Sequence, residues 1–214
     1  MTNGSIVTPA IAPSGFTGKV VSNGGLVNFA AAQTGNGVYF QNCCSNTNNA
    51  YYKFTGPTVG NIFNVNQGQI TFYLKSRYSF AQRQASASAP RYAFDVVDGN
   101  DQHLFYFLTQ VTGGYLFFNY AIAGSLQYAY LPQGTEETQF GNGVTLKVKM
   151  TWDGSVAKLY LNDTLVQQSS YTTPTPNWSA ASNFDLGAHE YLSYGAFNAS
   201  DDIIDEFIVI GPPS

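Results

Sequence analysis

Thr151-Trp152-Asp153-Gly154, then Leu159-Tyr160-Leu161-Asn162-Asp163, then Asp185-Leu186-Gly187, then Ile204-Asp205-Glu206-Phe207: these four pieces decide the reading of the fold. Trp152 ends an alternating strand that starts at Val144. Leu146, Val148, Met150 and Trp152 share one face, and Lys147, Lys149 and Thr151 share the other. Asp153-Gly154 is a hairpin pair. Val156 to Leu161 is the return strand, Asn162-Asp163 the next turn, and Thr164 to Ser169 a further strand. Phe184 to Leu186 and Ile203 to Ile210 close the pattern.

The same signals run upstream. Ala50 to Phe54 is a strand bounded by Gly56-Pro57. Gln69 to Tyr78 alternates, with Ile70, Phe72 and Leu74 on one face and Thr71, Tyr73, Lys75 and Arg77 on the other. Arg91 to Val97 follows, then the turn Asp98-Gly99-Asn100-Asp101. His103 to Gln110 and Gly114 to Ala121 read as a hairpin about Thr112-Gly113, and Leu126 to Leu131 as the next strand. Residues 1–48 are rich in Gly, Asn and Ser and read as irregular structure and edge strands, with Ala30-Ala31-Ala32 a candidate helical turn. No helix-period segment of useful length, internal repeat or second-domain boundary is present. The expectation is an all-β protein: an antiparallel two-sheet β-sandwich of jelly-roll type, one domain over residues 1–211, with its core in 49–211. Pro212-Pro213-Ser214 reads as the start of a linker.

In order and spacing, the four pieces resemble the laminin-G-like and pentraxin-like branch of the concanavalin A-like lectin superfamily, over roughly Asn49 to Gly211. The resemblance implies a concanavalin A-like sandwich whose work is binding. It also implies that Asp205-Glu206 is a structural pair, satisfying backbone donors or helping a structural calcium. Two oxygen-rich clusters fit such an ion: Asp95, Asp98, Asn100 and Asp101, or Asn198, Asp201, Asp202 and Asp205, the second being favoured.

Composition narrows the partner. Only 10% of the residues are charged and 44% are hydrophobic, so Asn, Gln, Ser, Thr and Tyr must coat the surface. A net charge of -4 with nine Lys plus Arg excludes a general affinity for nucleic acid, which needs a dense basic face. No apolar run is long enough for a membrane span. The first residues lack both parts of a secretion signal. The expectation is a module of a larger secreted protein, any signal having been removed. Cys43-Cys44 are adjacent and fit either two small loop residues or a vicinal disulfide.

A search for chemistry returns little. His103 and His189 are far apart, and no spaced Cys/His zinc pattern, nucleophile elbow or phosphate loop occurs. A jelly-roll glycosidase needs two carboxyls facing one bond. The run Asp201-Asp202-Ile203-Ile204-Asp205-Glu206 lacks that spacing, and Glu136-Glu137 fall in a loop. Sugar binding is better provided for, because sugars stack C–H faces on aromatic rings and hydrogen-bond through hydroxyls. The chain is 15% aromatic, with 15 Tyr. The candidate sugar-contacting residues are Tyr73, Arg77, Arg91, Tyr115, Tyr120, Tyr128, Tyr130, Trp178 and Tyr191. Trp178 fits either a plug at the sandwich edge or a stacking platform. Lys75, Arg77, Arg83 and Arg91 fit either an anionic-glycan site or ordinary charges around a solvated loop, Phe80 to Pro90. The function expected is non-catalytic binding of a polysaccharide or oligosaccharide on the concave sheet. Protein adhesion is the alternative, and a glycan-active hydrolase or lyase on the same fold the third reading.

Overall fold

A computed structural model describes residues 1, 4–7, 16–40, 49–85, 90–191, 195–197 and 200–211. The described residues form two large antiparallel sheets. The first runs in the order β1 (Ile6–Val7), β2 (Gly18–Asn23), β5 (Asn49–Thr55), β14 (Asn183–Leu186), β7 (Arg91–Val97), β8 (His103–Thr112), β9 (Tyr115–Ile122), β10 (Ser125–Tyr130). The second runs β13 (Thr164–Ser170), β12 (Val156–Leu161), β11 (Thr145–Trp152), β6 (Gly68–Lys75), β17 (Ile203–Ile210), β4 (Asn36–Phe40), β3 (Val27–Ala31). A separate ribbon pairs β15 (His189–Tyr191) with β16 (Gly195–Phe197). Among the described residues, three short helices, α1 (Val59–Ile62), α2 (Phe80–Ala85) and α3 (Glu136–Phe140), fill connections.

Alternation explains the layers. In β6 and β11 every second residue is buried, so Ile70, Phe72 and Leu74 pair with Met150, Val148 and Leu146 on the inner face. Phe72 then meets Phe94 and Phe107 of the first sheet, and Trp152 meets Phe105, at ring separations of 4.7–5.7 Å. The core is this layer of phenylalanines between the sheets. Trp152 is saturated there, its indole N–H donating to the Asn64 carbonyl at 2.7 Å.

Turn chemistry sets the hairpins. Asn162 and Asp163 both take positive φ, 50° and 64°, as a two-residue type I′ hairpin requires. The β8–β9 turn does the same at Gly113-Gly114, one residue later than expected. Asp153 holds its turn differently: Oδ1 accepts the backbone N–H groups of Ser155 and Val156 and the Ser155 hydroxyl. Those donors keep its carboxyl below the ordinary carboxylate range. A depressed folded-state pKa contributes stability above the unfolded value and loses it as pH falls through the folded one. Asp153→Asn should therefore weaken the domain at pH 5 and above, and the difference from wild type should shrink below about pH 4. Urea titrations of both proteins across that range check it.

Residues before 49 supply edge strands, as expected: β1 and β2 end the first sheet beyond β5, and β4 and β3 end the second beyond β17. Ala30 and Ala31 belong to β3, not to a helical turn, because they pair with Gly37 and Asn36 across a hairpin. The stretch after Ser79 is helix α2 rather than a solvated loop, tied down by Arg83, which is buried. Cys43-Cys44 lie outside the described residues.

Candidate binding face and polar clusters

The outward face of the first sheet can be read directly from the register. One row crosses seven strands as Lys19, Lys53, Asp185, Asp95, Tyr106, Ala121 and Leu126. The next runs Tyr92, Leu108, Asn119, Tyr128, and a third Gln110, Phe117, Tyr130. Their inward neighbours Phe107, Phe118 and Tyr120 go to the core. The face from β7 to β10 is therefore a floor of Leu108, Ala121 and Phe117, all well buried, with aromatic rings and amides around it. Tyr128 and Tyr130 are 44% and 64% exposed and flank Phe117 at 6.3 and 5.5 Å. Tyr92 packs on Tyr106 at 5.8 Å, and the Tyr106 hydroxyl donates to Asn119 Oδ1 at 2.8 Å.

At one end of this face stands a cluster that spacing along the chain did not reveal. His103 and His189 both direct Nδ1 at the carboxylate of Asp95. His103 lies 3.1 and 2.9 Å from its two oxygens, and His189 lies 2.5 Å from Oδ2. The imidazoles are 4.6 Å apart, and His189 stacks on Tyr92 at 4.4 Å. Burial alone would raise the Asp95 carboxyl, but hydrogen bonds from His103 and His189 and their charge hold it below the ordinary value. Burial would lower His103, yet the hydrogen bond to Asp95 and the charges of Asp95, Asp101 and Asp98 raise it. Among the described residues these three form the one grouping of metal-ligating side chains close enough to share an ion.

The sequence-predicted residues scatter. Tyr115, Tyr128 and Tyr130 do share the outward face and are exposed. Tyr120, two residues from Phe118 on the same strand, points inward and is 1% exposed; burial pushes its hydroxyl pKa up. Tyr73 is on the second sheet, opposite Lys147. Trp178 packs half-buried against the core over Gly60, where a Cβ would fall 2.4 Å from its ring, so it plugs the edge. Tyr191 is on β15, and its side chain lies outside the described portion.

The arginines and the proposed calcium ligands consume one another. Arg83 forms a fully buried ion pair with Asp202, and Arg91 stands 3.4 Å from Asp201. Arg77 donates from Nη1 to the Asp201 carbonyl and lies over the Tyr39 ring at 3.9 Å. The Tyr78 hydroxyl also donates to Asp201. Burial and then that bond push Tyr78 up to about 12. Burial and the neighbouring Asp202 raise the Asp201 carboxyl. Arg77 and Arg91 are thus engaged by groups of the chain itself. Asp201 and Asp202 neutralise cations of the chain itself. Asp205 accepts the backbone N–H groups of Thr34 and Glu206, and Asn198 lies outside the described residues. In the other proposed cluster, Asp98 accepts from the backbone of Asn100, Gln102 and Asn177, as turn chemistry requires.

Tyr92, Tyr106, Asn119 and Phe117 were missed by sequence reading. The signal that finds them is the pairing register of β7 to β10, which needs the turn positions to within one residue.

No family profile matches the sequence, and no curated protein matches it. Solved structures do superpose. The binding domain of botulinum neurotoxin DC, solved in complex with rat synaptotagmin II, aligns with a TM-score of 0.57 at 14% identity, over 92% of this chain and 44% of that one. The same toxin domain in complex with SialylT aligns at 0.56, with 14% identity and the same coverage of both chains. Domain 4 of AbnA, a GH43 extracellular arabinanase from Geobacillus stearothermophilus, solved with arabinotriose, aligns at 0.53 and 14% identity, over 92% of this chain and 84% of that one. The chain spans less than half the length of the toxin domains and most of the arabinanase domain. What these structures have in common with it is the two-sheet architecture, and the fold of the chain is the concanavalin A-like β-sandwich.

Proposed function

We propose that the chain is a non-catalytic, extracellular carbohydrate-binding module that takes a neutral polysaccharide or oligosaccharide across the outward face of β7 to β10. The observation that carries this is the set of aligned rows Tyr92-Leu108-Asn119-Tyr128 and Gln110-Phe117-Tyr130. They put exposed tyrosine rings beside amides over an apolar floor, which is the chemistry a sugar needs. The rows contain no Lys or Arg, which favours a neutral ligand. The arabinanase domain that shares the fold was solved with a sugar, which supports the class of ligand.

The test is affinity electrophoresis through gels containing arabinan, xylan, glucan or a polyuronate. Wild type should be retarded by a neutral polymer. Tyr128→Ala and Tyr130→Ala should each weaken binding about tenfold, the value of roughly 1.4 kcal/mol that one well-stacked ring contributes. A repeat with a calcium chelator tests the ion that the resemblance implied. Retardation by none of the polymers would sink the reading. Protein adhesion would then gain weight, because Leu126 stands exposed beside Tyr128 on the edge strand β10, an apolar edge suited to a protein surface.

A further inference from the structure

We propose that Asp95, His103 and His189 bind one divalent transition-metal ion of the zinc class. Two imidazoles and one carboxylate are borderline donors that suit zinc, copper or nickel, and they offer too few oxygens for calcium. The geometry is close to that of a loaded site. Donor atoms held at about 2.0–2.1 Å from one ion stand roughly 3 Å apart from each other. Here the two Nδ1 atoms lie 2.5 to 3.1 Å from the Asp95 oxygens they face, and the three donors fall within 4.8 Å of one another. An ion would take the place of the hydrogens by which the imidazoles now hold the carboxylate.

The surroundings are those of a supported site. Asp95 is fixed in the middle of the first sheet, between Asp185 of β14 and Tyr106 of β8. Tyr92 orients the His189 ring by stacking, and Asp98 and Asp101 add negative charge near His103. Access runs past His103, which is only partly buried and lines a surface cleft of about 590 Å³ with Gln102, Gly124, Ser125 and Tyr171. Water from that side would complete the coordination. The ligands come from β7, β8 and the start of β15, so the ion would fasten the β15–β16 ribbon to the first sheet.

The experiment is calorimetric titration of the chelator-stripped chain with zinc chloride, paired with thermal unfolding and histidine-ring NMR. The expected result is one saturable zinc per chain and a raised Tm. The imidazole signals of both histidines should move, and there are only two in the chain. His103→Gln should remain folded, since its ring is at the surface of the cluster, and lose roughly a hundredfold or more in affinity. No saturable binding to wild type would overturn the proposal. So would zinc affinity unchanged in His103→Gln, or zinc binding that leaves the imidazole signals in place.

Discussion

Asp202→Ala is expected to cost about 3–5 kcal/mol of unfolding free energy, a large share of the 5–15 kcal/mol that holds an ordinary domain together. The change would remove the carboxylate that Arg83 pairs with inside the core, leaving Asp201 as a nearby acid. Arg83 cannot retreat to solvent. It lies against the Phe140 ring at 4.6 Å, donates to Ser76 Oγ at 2.8 Å, and reaches Thr109 Oγ1 at 3.4 Å. Asp202 also accepts the backbone N–H of Arg77, so the same loss frees the end of β6. Guanidinium unfolding followed by circular dichroism measures the effect. The double variant Arg83→Met with Asp202→Leu should be markedly more stable than Asp202→Ala, since an apolar pair of similar volume leaves no charge to desolvate. A cost below about 1 kcal/mol for Asp202→Ala would mean that the pair is solvated, as surface pairs are.

Gly187→Ala should rank beside it, at about 2–5 kcal/mol. Two causes add. Gly187 has φ +92°, where a Cβ costs an L-residue roughly 1–2 kcal/mol. Its Cβ would also fall 2.0 Å from two ring atoms of Phe40, a fully buried residue in a filled core, and overpacking there costs about 1–3 kcal/mol more. The backbone cannot swing away, because Gly187 donates to the Ala93 carbonyl at 2.8 Å and accepts from Ser200 at 2.7 Å. The expected fall in Tm is on the order of 10 °C. Gly56→Ala is the control. Gly56 has φ +109° with open space where its Cβ would go, so only the backbone part should appear. Equal losses at the two sites would rule out the Phe40 contact as a cause.

Gly187 belongs to Asp185-Leu186-Gly187, one of the four pieces that disclosed the fold. The structure shows why that tripeptide is informative: its glycine lets the chain leave β14 flush against Phe40. Trp152, Asp153-Gly154 and Asn162-Asp163 were legible for a similar reason. Each reports a strand end or a turn whose geometry is settled by neighbours in sequence. Sheet membership was less legible. β3 and β4 read as edge strands, as they are, but which sheet they edge depends on β17, far along the chain.

The candidate face drew on residue types that composition shows and on places that it does not. An excess of tyrosine over charge pointed to polar aromatic recognition, yet only register could separate Tyr128 and Tyr130, which face solvent, from Tyr120, which packs in the core. Charge was harder still. Arg83 and Asp202 are 119 residues apart, and His189 and Asp95 are 94 apart, so neither partnership has a local signature. Read alone, the arginines looked available to a ligand and the aspartates to calcium; folded, they neutralise each other.

Periodicity and turn residues act over a few residues, so the sequence by itself determined the strands, the hairpins and a sandwich that buries phenylalanine. Pairing between distant strands acts over the whole chain. Only the tertiary structure therefore decided which tyrosines share a face, which charges cancel, and that two remote histidines meet on one aspartate.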